Sequence, residues 1–88
     1  EIGFRSVASP WQAPHAEPGE QVYDEQAQAR AYRLVLEGLR GQAWCRGLFW
    51  WKWPTYLSYS ERNPRSFTPA GKAAEAVLQK AYTAPDFP

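Results

Sequence analysis

The clearest periodic signal runs from Asp24 to Arg40. Ala27, Ala31, Leu34, Val35, Gly38 and Leu39 recur at a spacing near 3.6 residues, the stripe of an amphipathic helix. Asp24 is a good cap for its first turn, and Glu25 suits the positive end of the helix dipole. Gly41 follows Arg40 as a stop, so the pattern predicts a helix over 24–41. Gly38 weakens that helix by roughly 1 kcal/mol against Ala, or else admits a close backbone. A second stripe, Ala74, Val77, Leu78 and Ala81, follows Thr68 as a cap and Pro69 at a first helical position, predicting a helix over 69–82.

Between the helices, residues 43–53 form the most apolar run, and Leu48 to Trp51 are four large apolar residues in succession. Continuous runs belong to strands buried on both faces, as in parallel sheets covered by helices. Pro54 ends the predicted strand, and a polar, Tyr-rich loop over 54–68 follows, with Asn63-Pro64 as a turn signal. Ahead of the first helix, Glu1 to Val7 reads as the end of a strand. Pro10, Pro14, Pro18 and Gly19 make the rest of 1–23 a loop. The alternation of strand and helix predicts an α/β fold with a parallel sheet. One strand and two helices do not close a sheet. The chain, which starts at Glu1 and has no Met, therefore reads as a piece of a larger α/β protein.

Composition narrows the partners. Eighty-eight residues make one small domain, which buries roughly 60–65% of its unfolded surface on its own. Ten Lys and Arg against nine Asp and Glu argue against a polybasic nucleic-acid binder. Cys45 is a lone cysteine and reads as a small buried hydrophobe, with no internal disulfide. No apolar run approaches the ~20 residues of a membrane span. His15 has no second His nearby in sequence, and no phosphate-binding glycine spacing occurs, so neither metal nor cofactor is expected. Unpaired strand edges predict association, either with the remainder of a sheet on another chain or as a homo-oligomer.

The aromatic content is 16%, with five Trp, and large aromatics in a short chain need a reason. In a strand, Trp51 and Trp53 share one face, and Trp50 takes the other as a core residue. Indoles at a strand's C-terminal end form an apolar wall on which the C–H faces of sugar rings stack. Glu1, followed by Gly3 and a long loop, stands where α/β barrels carry a catalytic carboxylate; the plain alternative is an exposed terminal Glu. Tyr56, Tyr59, Arg62 and Arg65 mix rings with cations, a pattern that also suits single strands of nucleic acid, but at net charge +1 a solvated loop is the better reading.

Three motifs stand in order along the chain: Glu-Ile-Gly-Phe-Arg-Ser at 1–6 with the Pro- and Trp11-bearing loop, Gly-Leu-Phe-Trp-Trp-Lys-Trp at 47–53, and Phe-Thr-Pro-Ala-Gly-Lys-Ala-Ala at 67–74. Together they resemble the C-terminal quarter of glycoside hydrolase family 113, a (β/α)8-barrel family with β-mannanase members. The resemblance implies the end of strand 7, helix 7, strand 8 (45–53) and helix 8 of a TIM barrel, incomplete alone. It implies that Glu1 is the nucleophile of a retaining glycosidase. Its acid/base Glu, at the end of the fourth strand, lies outside this chain. Trp51, Trp53, Phe4, Arg5 and Trp11 are the expected sugar-binding residues, with Arg5 also placed to pair with Glu1. Phe4 stands where a Tyr is frequent in the family, and Lys52 has no assigned role. No cofactor or metal is implied. The competing readings are a small carbohydrate-binding module on a Trp platform, against which two helices speak, and a protein-interaction domain.

Overall fold

The computed structural model describes residues 1–12, 21–56 and 58–84. Three helices appear in order: α1 (Glu25–Leu39), α2 (Tyr59–Arg62) and α3 (Ala73–Tyr82). Asp24 caps α1 in extended conformation, its carboxylate accepting from the Ala27 N–H at 3.0 Å. The helix ends at Arg40, whose N–H reaches the Leu36 carbonyl, and Gly41 takes φ +75°, a left-handed turn that suits glycine.

α1 packs along α3, and the core between them holds Ala29, Tyr32, Leu36, Ala74, Leu78 and Ala81. The predicted stripe is buried at its start, at Ala27 and Ala31, and the rest of the buried face is turned from it. Leu34 is 67% exposed and a Cβ at Gly38 would point into open space, whereas Gln28 and Tyr32 are fully buried. The polar pair is accepted because it is bonded. Gln28 Nε2 donates to the carbonyls of Phe4 (2.9 Å), Phe67 (3.0 Å) and Thr68 (3.4 Å), although its Oε1 is buried without a partner.

α3 begins later than Thr68-Pro69 predicts. Thr68 Oγ1 accepts from Ala70 N–H at 3.2 Å and Lys72 N–H bonds Pro69 O at 3.0 Å, which closes a single turn. Gly71 at φ +71° then breaks it, and the helix restarts at Ala73. The N–H of Ala73 is taken by Glu25 Oε1 at 3.0 Å, so one carboxylate serves the first turns of both α1 and α3. Glu25 Oε2 also accepts from the Tyr23 hydroxyl at 2.5 Å.

Among the described residues, residues 43–53 form no continuous strand. A parallel bridge joins Ile2 to Trp50, with Ile2 N–H to Phe49 O at 3.0 Å and Trp51 N–H to Ile2 O at 2.8 Å. An antiparallel bridge joins Val7 to Tyr23. Nor is the run buried on both faces. Leu48 and Trp50 pack on the helical core, while Phe49 is 80% and Trp51 47% exposed. The alternation is that of an extended segment with helices on one side only. Tyr32 stacks on Trp50 (centroids 4.2 Å, 8° between planes), and Trp50 Nε1 donates to the Tyr82 hydroxyl at 2.5 Å. Trp50 thereby ties the extended segment to both long helices. Among the described residues no helix is long and apolar enough to cross a membrane.

Candidate functional site

The parallel bridge fixes the geometry of the candidate site. Ile2 and Trp50 are paired, so Glu1 precedes one member and Trp51 follows the other. Leu48 and Trp50 face the helices, and Phe49 and Trp51 face away from them. By the two-residue alternation of extended chain, Glu1 falls on the face of Phe49 and Trp51, and it is exposed. Trp53 is 51% exposed and Trp11 54%, the latter in the turn closed by Gln12 N–H to Ser9 O at 3.1 Å.

Gly3 makes the pairing close. A Cβ there would sit 2.2 Å from the Trp51 carbonyl oxygen, nearer than any side chain tolerates. The Trp51–Lys52 peptide is cis. Lys52 is half-buried, its ammonium 5.8 Å from the Trp51 ring centroid and 5.3 Å from that of Tyr59 in α2. Tyr59 meets Tyr56 edge-on with centroids 5.5 Å apart.

Two expected sugar-binding residues stand elsewhere. Phe4 is turned toward the helices, its ring 6.3 Å from that of Tyr32, because it continues the inward face of Ile2. Arg5 lies with its guanidinium 4.2 Å over the Phe67 ring, and its Nε is buried without a partner. A cation–π contact thus holds it where pairing with Glu1 was expected. Cys45 is half-buried rather than enclosed. His15 lies outside the described residues. Among the described residues no three His, Cys, Asp or Glu side chains gather as a metal site.

Behind the open face, one polar cluster escaped the sequence reading. Lys72 is 8% exposed and donates to Ser6 Oγ (2.9 Å) and Ser66 O (3.3 Å). Ser6 is fully buried and its hydroxyl in turn donates to the Pro64 carbonyl. Burial pushes the Lys72 ammonium down to about 8, with Glu25 acting in the opposite direction. The cluster fastens the segment after Glu1 to the loop before α3. A Lys between Gly71 and Ala73 gave no hint of this, since lysines at helix starts are ordinarily solvated.

The comparisons agree with the motifs. A family model, Glycoside Hydrolase Family 113, matches residues 1–72, ending just before α3. No curated protein and no solved structure matched the chain. Since the match takes in Glu1, the Ile2–Trp50 bridge, α1 and the aromatic run, the chain belongs to glycoside hydrolase family 113, a family of TIM-barrel enzymes.

Proposed function

We propose that this chain is the C-terminal quarter of a (β/α)8 barrel and supplies the nucleophile, Glu1, of a retaining β-glycoside hydrolase. The observation that carries the reading is the parallel Ile2–Trp50 bridge. It brings Glu1 and Trp51 to adjacent extended segments, on the side opposite α1 and α3. In a barrel that side is the interior, and the ends of the strands carry the chemistry. The 80% exposure of Phe49 fits a side chain that the rest of the barrel covers.

In the proposed reaction the Glu1 carboxylate attacks the anomeric carbon as the glycosidic C–O bond breaks. An acid residue on the remainder of the barrel, about 5–5.5 Å away across the bond, gives its proton to the leaving oxygen. That residue, now a base, deprotonates water, which attacks the anomeric carbon and frees Glu1. Trp51 and Trp53 form the apolar wall under the sugar. A β-linked substrate of the mannan type is what family membership suggests.

The test uses the full-length enzyme. Glu1→Ala should abolish hydrolysis of β-manno-oligosaccharides, and azide should restore turnover of an activated aryl β-glycoside, giving a glycosyl azide of inverted configuration. Trp53→Ala should weaken binding by about 1–3 kcal/mol without removing the chemistry. Near-normal turnover by Glu1→Ala would refute the assignment. A chain acting only as a carbohydrate-binding domain would keep its sugar affinity in that variant and show no azide rescue.

A further inference from the structure

Trp51 has a firmly held backbone and an indole with about half its surface open. Its N–H is bonded to Ile2 O at 2.8 Å and its carbonyl lies against Gly3, yet the side chain is 47% exposed. A ring so placed has rotamer freedom unless something outside the backbone removes it. Lys52 is the neighbour able to do so. Its ammonium lies within about 6 Å of two ring centroids, the range in which a cation is drawn to a π face. One of those rings is Trp51 and the other is Tyr59, which α2 holds and which Tyr56 braces edge-on. Both contacts are made by the one ammonium, so its charge acts on the two rings together.

We infer that Lys52 is a positioning residue: shared between Trp51 and Tyr59, its ammonium holds the Trp51 indole at one tilt and ties it to α2. The inference rests on the reading of Trp51 as a sugar-stacking wall. Stacking needs the indole plane parallel to the sugar face, and a ring that must first be ordered binds less tightly. Preordering one side chain is worth roughly 3- to 10-fold in affinity. Lys52 acts through the ring and not on the reacting atoms, so its loss should fall on KM rather than kcat.

The experiment labels the full-length enzyme with fluorotryptophan and assigns the Trp51 fluorine resonance by its loss in Trp51→Phe. Lys52→Gln should shift and broaden that resonance, Lys52→Arg should keep it sharp, and Tyr59→Leu, which removes the second ring, should broaden it as well. With β-manno-oligosaccharides, Lys52→Gln should raise KM roughly 3- to 10-fold and leave kcat within about 2-fold, and Lys52→Arg should restore KM. In a Trp51→Ala background Lys52→Gln should add nothing further. A Trp51 resonance unmoved by both Lys52→Gln and Tyr59→Leu overturns the inference. So does an equal KM effect of Lys52→Gln with and without the Trp51 ring, which would mean that Lys52 meets the sugar directly. If Trp51→Ala leaves KM unchanged, the stacking wall is refuted, and the fluorine resonance still decides whether Lys52 holds the ring.

Discussion

Replacing Gly3 with alanine tests whether the bridge between the first segment and the aromatic run sets the site. The added Cβ would lie 2.2 Å from the Trp51 oxygen, 3.1 Å from the Trp51 carbonyl carbon and 3.2 Å from Phe67 Cδ1. Carbon and oxygen in close contact stand about 3.3 Å apart, so the two segments must part by roughly 1 Å. The main obstacle is backbone, and no rotamer change relieves it. Parting strains or breaks the bonds of Ile2 N–H to Phe49 O and Trp51 N–H to Ile2 O, each worth about 0.5–1.5 kcal/mol. Overpacking adds about 1–3 kcal/mol, and the stiffer unfolded chain returns a few tenths to about 1 kcal/mol. The expected net loss is about 2–4 kcal/mol, read as a lower urea midpoint for the full-length enzyme, together with a raised KM as Trp51 is displaced. Gly38→Ala is the control with opposite sign. No atom lies within 4 Å of its Cβ position in α1, so the same methyl should stabilise by about 0.5–1 kcal/mol. A Gly3→Ala enzyme with unchanged midpoint and KM would refute the account of the bridge.

Lys72 gives a pH dependence of definite sign. Its folded value is about 8 against 10.5 unfolded, so below about 8 both states hold the proton and the folded state bears the full burial penalty. Between about 8 and 10.5 the unfolded state alone keeps the proton, and stability must rise with pH. Across that window the parent should gain up to about 3 kcal/mol relative to Lys72→Met in paired urea titrations, and a flat difference would contradict this. Glu25→Gln should cost about 1–2 kcal/mol by removing the carboxylate from the starts of two helices, measured by the same unfolding. It should also lower the Tyr23 hydroxyl from about 12, where burial first and Glu25 second hold it, as followed by tyrosinate absorbance; an unmoved titration would count against the shared carboxylate.

The existence of α1 and α3 was legible because capping and a 3.6-residue period act locally. Which face α1 buries was legible only at its start, where Ala27 and Ala31 are buried as the period predicts. Apolar periodicity favoured Leu34, but the core chose Tyr32 and Gln28, whose hydroxyl and amide N–H donors are bonded to carbonyls about 24 to 40 residues away in sequence. Such long-range bonds leave no local trace. The aromatic run was read as buried on both faces because hydropathy does not record what does the covering. Only Leu48 and Trp50 are covered here, by the helices. Glu1 and Trp51 were marked by residue type and motif, while their adjacency became definite only with the register of the Ile2–Trp50 bridge. The late start of α3 turns on the left-handed backbone at Gly71, which overrides the preference of Thr68-Pro69.

Near its N-terminus α1 is buried through Ala27, Ala29 and Ala31, which are small and nearly featureless. A smooth surface of that kind gains almost as much by sliding or rolling as by staying in place, because no ridge resists the motion. Directional bonds supply what shape does not. The Gln28 carboxamide meets carbonyls on the first segment and on the loop before α3, and a roll of one residue, about 100°, would lose them all. Its apolar isostere would fill the same volume and preserve burial, yet loosen the hold on the height and azimuth of the helix. In this fold, apolar contact supplies adhesion, and the Gln28 amide, together with Glu25 on the Ala73 N–H and Tyr32 on Trp50, sets the registration between α1 and the segments that carry Glu1 and Phe67.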